Sequence, residues 1–201
     1  METTNPSPTV YSVTNDIVYK LDQTLETSSG KATLANLRNS IGKPLSQSVE
    51  IWPLLFENLP GDFLSQDQSE SRKELAILTT LQLYALYRQG KQIPVRKQNE
   101  KRGFENIGYS LSTLRTGDNT VSVDRRFNTL ITAATYDELI HHLRQMIKLL
   151  KSKMSGEINI DFGRLAQDLY GFLIEKEENI RLNWARAYYR TNPKGGIEND
   201  Q

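Results

Sequence analysis

The chain reads as all-α, a compact bundle of roughly eight or nine helices. Three observations predict this. Nearly every periodic segment repeats its apolar residues at helical spacing, no stretch alternates as a half-buried strand would, and capping or Gly/Pro signals punctuate the breaks. The 201 residues suit one domain, or one domain with lobes. They divide into an N-terminal tail (1–12), a single helical domain (13–193) and a C-terminal tail (194–201).

Met1 to Ser12 is rich in Pro, Ser and Thr and reads as a mobile tail. Thr14 to Glu26 forms a first helix, with Val18, Leu21 and Leu25 on one side. Gly30 to Ser40 gives a short helix whose Leu34 and Leu37 face inward. Lys31 and Arg38, seven residues apart, share its outer face, and Gly42 and Pro44 end it. Ile51 to Pro60, IWPLLFENLP, is an apolar knot bounded by prolines and reads as a core anchor.

Ser71 and Glu74 fit a capping box that opens the long helix ELAILTTLQLYALYRQ, stopped by Gly90. Apolar residues almost encircle this helix, which predicts a central, buried position. Lys91 to Arg102 is polar, basic and interrupted by Pro94. It reads as a loop exposing Arg96, Lys97, Lys101 and Arg102. A short helix follows near Glu105 to Arg115, then the turn TGDNT at residues 116–120. The next helix begins at Ser122 or Asp124 and runs through Ala134.

Thr135 and Glu138 fit another capping box, and Leu139, Ile140, Leu143, Met146, Ile147 and Leu150 then form one apolar face. His141, Arg144, Lys148 and Lys151 share a different face, which carries three fixed positive charges and no acid. Ser155 and Gly156 break this helix. Asp161 N-caps the helix of Leu165, Leu169 and Tyr170. The last helix runs from about Glu177 to Arg190 with Ile180, Trp184 and Tyr188 on one face, and Lys194 to Gln201 frays.

The formal net charge is only +1, yet it is unevenly placed. Residues 1–71 carry four Lys/Arg against nine Asp/Glu, residues 72–153 fifteen against seven, and residues 154–201 six against eight. A basic middle between acidic flanks points to a polyanion or an acidic protein partner. No apolar run approaches the roughly 18 residues of a membrane span, and the N-terminus lacks the basic and apolar regions of a signal peptide. Without cysteine, disulfides and thiolate chemistry are excluded, and a cytoplasmic location is the default.

Catalytic signatures are absent. No phosphate-binding GxxxxGK[ST] loop, GxSxG elbow or zinc spacing occurs. The two histidines, His141 and His142, are adjacent on a helix and point about 100° apart, so they do not chelate one metal together. The acid pairs Asp137-Glu138 and Glu177-Glu178 stand at helix starts, where the dipole favours them. Trp184, Tyr188 and Tyr189 interleave with Arg181, Arg186 and Arg190, a pattern that can stack bases. Ile180, Trp184 and Tyr188 nonetheless align as a core stripe, leaving Tyr189 open between the two roles.

An ordered set of blocks carries a resemblance. It comprises Gly30-Lys31 with Leu34 to Arg38, Trp52-Pro53-Leu54 with Leu59-Pro60, Leu83 to Lys91, Leu111 to Arg115, and Asp124-Arg125-Arg126-Phe127-Asn128 with Leu130 to Ala133. It continues through the Leu143-Arg144 helix ending Lys148 to Lys151, then Asp161 to Tyr170 and Arg181 to Arg190. With these the chain resembles the small subunit of the type I-E CRISPR surveillance complex Cascade, the CasB family. The resemblance implies an all-α, non-catalytic protein without cofactor or metal. It implies as partners a guide RNA, target DNA with its displaced strand, the backbone and large Cascade subunits, and a second copy of itself.

Joined to the charge pattern, this makes Arg125, Arg126, Arg144, Lys148 and Lys151 the central expected nucleic-acid contacts, with Arg38, Arg115 and Arg164 behind them. Arg125 and Arg126 stand between phosphate contact and internal ion pairing, since Asp124 is a neighbouring acid. Phe127 and Leu130 are expected in the core. Two other readings stay open. One is a scaffold whose basic stripe docks acidic neighbours, and the other is a helix-turn-helix regulator built from Asp124–Ala134 and Tyr136–Lys153.

Overall fold

Local signals decide where each helix begins. The computed structural model describes residues 7–67, 69–90, 106–153 and 160–190, and these hold nine α-helices and no strand. α1 (Val10–Gln23) is opened by a reciprocal cap: the Ser12 N–H donates to Thr9 Oγ1 at 3.1 Å and the Thr9 N–H to Ser12 Oγ at 3.0 Å. This corrects the expected start at Thr14, and residues 10–12 are helical rather than tail. Leu25 lies past the end of α1. α2 (Ser28–Asn39) is capped by Thr27, whose hydroxyl accepts from the Gly30 N–H at 2.9 Å. α3 (Trp52–Phe56) lies within the proline-bounded knot.

In α4 (Arg72–Arg88) the expected box is complete. The Glu74 N–H meets Ser71 Oγ at 3.0 Å, and the Ser71 N–H meets Glu74 Oε2 at 2.6 Å. Gly90 takes φ +75°, a value its missing side chain tolerates, just past the helix end. α5 (Ile107–Ser112) is shorter than expected. α6 (Thr120–Ile131) starts ahead of Ser122 and stops before Ala134, because Thr132 and Ala133 already turn the chain toward the next cap. In α7 (Tyr136–Lys153) the Glu138 N–H reaches Thr135 Oγ1 at 3.2 Å. The Glu138 carboxylate, expected on the Thr135 N–H, instead accepts from Ala134 at 2.7 Å. α8 (Phe162–Leu173) has its expected Asp161 cap, and α9 is Glu177–Arg190. The cationic loop with Arg96, Lys97, Lys101 and Arg102, the break at Ser155 and Gly156, and the segment 194–201 lie outside the described residues.

The helices form two compact units, Met1–Gln98 with Asp161–Glu177, and Asn99–Ile160 with Glu178–Gln201. In the first, α4 is the buried axis, packed against α1, α2 and α8. Ile17, Leu37, Ile77, Leu81, Leu165 and Leu169 fill it, and the Tyr84 ring meets Phe162 edge-on at 5.2 Å. A buried polar triad crosses this core. Arg88 Nη2 lies 3.3 Å from Asp22 Oδ1, with both side chains only 3% and 4% exposed, and the Tyr84 hydroxyl donates to the same carboxylate at 2.6 Å. The knot is only partly a core anchor: Ile51, Leu55 and Leu59 are buried, but Trp52 and Phe56 are 37% and 44% exposed.

In the second unit α6 packs on α7. The expected inward residues Phe127, Leu130, Leu139, Leu143, Met146, Ile147 and Leu150 are buried, as are Ile180, Trp184 and Tyr188 of α9, while Ile140 is half-buried. Gly108 fixes the meeting of α5 and α9, since a Cβ there would stand 2.1 Å from the Trp184 carbonyl oxygen. Asn106 caps α5 and donates from Nδ2 to the Asn183 carbonyl at 3.1 Å, fastening the same junction.

Candidate nucleic-acid interface

In the second unit, amphipathic α6 buries Val123, Phe127 and Leu130, which forces Arg125 and Arg126 outward. Both are exposed, and among the described residues neither has an ion-pair partner. They border one open groove along the outer side of α6 with Asp118, Val121, Ser122 and Thr129. An adjoining groove is lined by Val121, Asp124, Arg125, Asn128, Thr129 and Thr132. The hydroxyls of Thr129 and Thr132 bond back to helix carbonyls at 3.0 and 2.8 Å, so these two residues present their methyls beside the arginines.

Asp124 does pair with an arginine, but a distant one. Arg115 Nε donates to Asp124 Oδ1 at 2.9 Å and Nη2 to Oδ2 at 3.4 Å. The buried Tyr188 hydroxyl donates to the same Oδ1 at 2.8 Å. This fork holds the Arg115 guanidinium more firmly protonated than usual, chiefly through its hydrogen bond to Asp124. It also holds the Tyr188 phenol un-ionised well above the ordinary tyrosine range, through burial first and then the Asp124 bond. Phe127 stacks on Tyr188 at 3.7 Å, and Tyr189 meets both edge-on, at 5.9 and 4.9 Å. The guanidinium of Arg115 lies over the Tyr188 and Tyr189 rings, 5.3 and 5.2 Å from their centroids.

On α7 the basic stripe is graded. His141 and Lys148 are exposed, whereas Arg144 and Lys151 are half-buried, and Arg144 Nε is shielded from solvent without a hydrogen-bond partner. His142 lies 3.7 Å from Glu138. In the first unit, Arg38 donates to the Ala85 carbonyl at 3.4 Å, and Arg164 Nε lies 3.1 Å from the buried carboxylate of Asp168 one turn on. Of the eight expected contacts, Arg38 and Arg115 thus have protein acceptors and Arg164 an ion-pair partner. Arg125, Arg126 and Lys148 are exposed and have no ion-pair partner among the described residues. Arg186, marked in the sequence only as part of the arginine–aromatic alternation, is exposed on α9 one turn before Tyr189, and Asn128, given no binding role there, accepts the Tyr189 hydroxyl on its amide oxygen at 2.8 Å. Their signal was the i−3 spacing to Tyr189 and the polar position next to Phe127.

Among the described residues no three His, Cys, Asp or Glu side chains gather as a metal site, and no helix is long and apolar enough to cross a membrane. An all-helical fold with uncommitted arginines on its outward helix faces defines the class as a helical protein bearing candidate polyanion-binding surfaces. The particular family follows from comparison. The chain belongs to the family described as CRISPR-associated protein Cse2, whose model matches residues 33–189. Three solved structures share the fold. A CasB crystal structure from Thermobifida fusca is 24% identical with a TM-score of 0.68, covering 90% of this chain and 97% of that one. A chain of a CRISPR RNA-guided surveillance complex is 18% identical with a TM-score of 0.66, covering 90% and 94%. M. ruber CasB is 23% identical with a TM-score of 0.63, covering 87% and 93%. No curated protein sequence matches the chain.

Proposed function

We propose that this chain is a non-catalytic, cytoplasmic subunit of an RNA-guided CRISPR surveillance complex. Beside the backbone and large subunits and a second copy of itself, it holds the backbone of the guide RNA–target DNA hybrid and of the displaced strand. One observation carries this reading: Arg125 and Arg126 are neighbours on the exposed side of α6, and no acid among the described residues is paired to either. R-loop formation is nearly balanced, because the hybrid formed is about as stable as the duplex it replaces. A few fixed cations therefore tip it without reading sequence. Arg144, Lys148 and Lys151 extend the cationic surface along α7, and Arg38, Arg115 and Arg164 contribute through whatever donors their internal acceptors leave over. Membership of a CRISPR-associated family favours this over a helix-turn-helix regulator built from α6 and α7.

The test is the salt dependence of DNA binding by the assembled complex. Changing Arg125 and Arg126 together to Ala is expected to lower the slope of log affinity against log salt by roughly 0.7 for each single-strand phosphate that is no longer neutralised. An unchanged slope overturns direct phosphate binding by these residues.

A docking role on protein is favoured by a different observation. Trp52 and Phe56 lie on one exposed side of α3 with ring centroids 6.1 Å apart, and the indole is pinned by its N–H to the Leu45 carbonyl at 2.9 Å. Exposed Glu50 and Glu57 flank them, a setting that repels nucleic acid and suits a basic protein surface. Trp52→Ala with Phe56→Ala is expected to leave folding intact but to reduce incorporation into the reconstituted complex. Normal incorporation, read by native mass measurement, would remove this second reading.

A further inference from the structure

Of the aromatic residues interleaved with arginine on α9, Trp184 and Tyr188 are buried completely, while Tyr189 is 45% exposed. An exposed tyrosine is ordinary, but this one is immobilised from several sides. Its hydroxyl donates to Asn128 on α6. Its ring is set nearly perpendicular to Phe127 and Tyr188, at 87° and 88°. Arg115 lies against it, itself held by Asp124. The side chain has thus already lost the freedom that binding would otherwise have to remove. Its surroundings are cationic. Arg186 precedes it by three residues on the same exposed side of α9. Arg125 precedes its anchor Asn128 by three residues on α6, and neither arginine has an ion-pair partner among the described residues. The groove lined by Val121, Arg125, Asn128, Thr129 and Thr132 runs open beside the anchor. The one acid on that groove, Asp124, is neutralised by Arg115.

We infer that the exposed surface of Tyr189 is a stacking platform for one unpaired base of a single-stranded nucleic acid, with Arg186 and Arg125 receiving the phosphates on either side. This rests on the nucleic-acid reading above and deepens it: the site takes a splayed strand rather than a paired backbone alone. Base–aromatic stacking tolerates any base, which suits a subunit whose partner strand is selected elsewhere by pairing. Arg115 is then a positioning residue. Its guanidinium, held by Asp124, backs the platform.

The experiment compares the full chain, at low salt, on a labelled thymidine strand of about twelve nucleotides and on an abasic strand of equal length and charge. The wild-type chain is expected to bind the base-bearing strand about tenfold more tightly. Tyr189→Ala removes that preference and leaves the salt slope unchanged, whereas Tyr189→Phe, which keeps the ring, retains most of it. Equal binding of the two strands by the wild type, or an undiminished preference in Tyr189→Ala, overturns the platform while salt-dependent binding leaves the charge reading standing. Absence of salt-dependent binding to either strand overturns both.

Discussion

Replacing Asp124 by Asn tests the junction on which the second unit's site is built. The carboxylate accepts two N–H groups of Arg115 and the hydroxyl of Tyr188, all within 3.4 Å, and Asn keeps the shape while removing the charge. With its oxygen at the Oδ1 position the amide still accepts from Arg115 Nε and Tyr188, but its nitrogen now faces the Arg115 Nη2 donor. Charge-assisted hydrogen bonds contribute about 1.5–3 kcal/mol and neutral ones about 0.5–1.5 kcal/mol. The Arg115 and Asp124 side chains are 19% and 25% exposed, so solvent screens part of that difference. A loss of about 2 kcal/mol follows, close to thirtyfold in the folded-to-unfolded ratio of this unit. The two tryptophans make the assay unit-specific. Trp184 is buried in the second unit and Trp52 is exposed in the first, so a Trp52→Phe background reports the second alone by fluorescence in urea. Combined with Arg115→Met, the double-mutant cycle is expected to show a coupling of about 1 kcal/mol with an unchanged urea slope. A coupling below about 0.3 kcal/mol, the ordinary additivity error, would refute the fork as an energetic unit.

Two further outcomes follow from buried groups. Asp22→Ala leaves the Arg88 guanidinium uncompensated inside the first unit, and a cost of about 3–5 kcal/mol is expected in urea denaturation, whereas a loss under about 1 kcal/mol would contradict burial of the pair. The phenols of Tyr84 and Tyr188 are both held above the ordinary value of 10.0 by burial and then by their carboxylate partners. Because the folded state keeps these protons where the unfolded chain sheds them, their contribution is whole below about pH 10 and declines above it. The decline reaches at most about 1.4 kcal/mol per pH unit for each tyrosine. Tyr188→Phe should flatten that alkaline loss in the Trp184 signal and leave the first unit's loss in place.

How far the sequence carried depends on whether an interaction is local. The cap of α4 by Ser71 and Glu74, the Asp161 cap of α8 and the buried stripe of α9 were all legible, because each involves residues within one or two turns. The start of α1 was missed because Ser12 fills the place usually held by Glu or Gln in a capping box. The Asp22–Arg88 pair was illegible, since 66 positions separate its members and neither helix shows a reason to bury a charge. Trp52 and Phe56 were read inward because aromatic composition signals burial more often than contact. Asp124 is the instructive case. Adjacent helical residues diverge by about 100°, so Arg125 and Arg126 were poorly placed to satisfy it, and an acceptor half-buried beside Tyr188 had to find its arginine on another segment.

That pairing changes what the basic middle segment can do. Fifteen Lys/Arg against seven Asp/Glu suggests a broad cationic surface, yet the fold commits Arg88 to Asp22 and Arg115 to Asp124. Among the described residues, the charge left for a ligand lies on the outer side of α6 and the exposed positions of α7. A strand held there meets few phosphate contacts, so its salt slope should be shallow. Affinity must then come partly from surfaces that salt does not screen. The fixed ring of Tyr189, one helix away from Arg125 and joined to α6 through Asn128, is the nearest such surface on the described residues. On the function proposed above, such an interface would hold an exposed strand weakly at any one point and depend on the base pairing beside it for register.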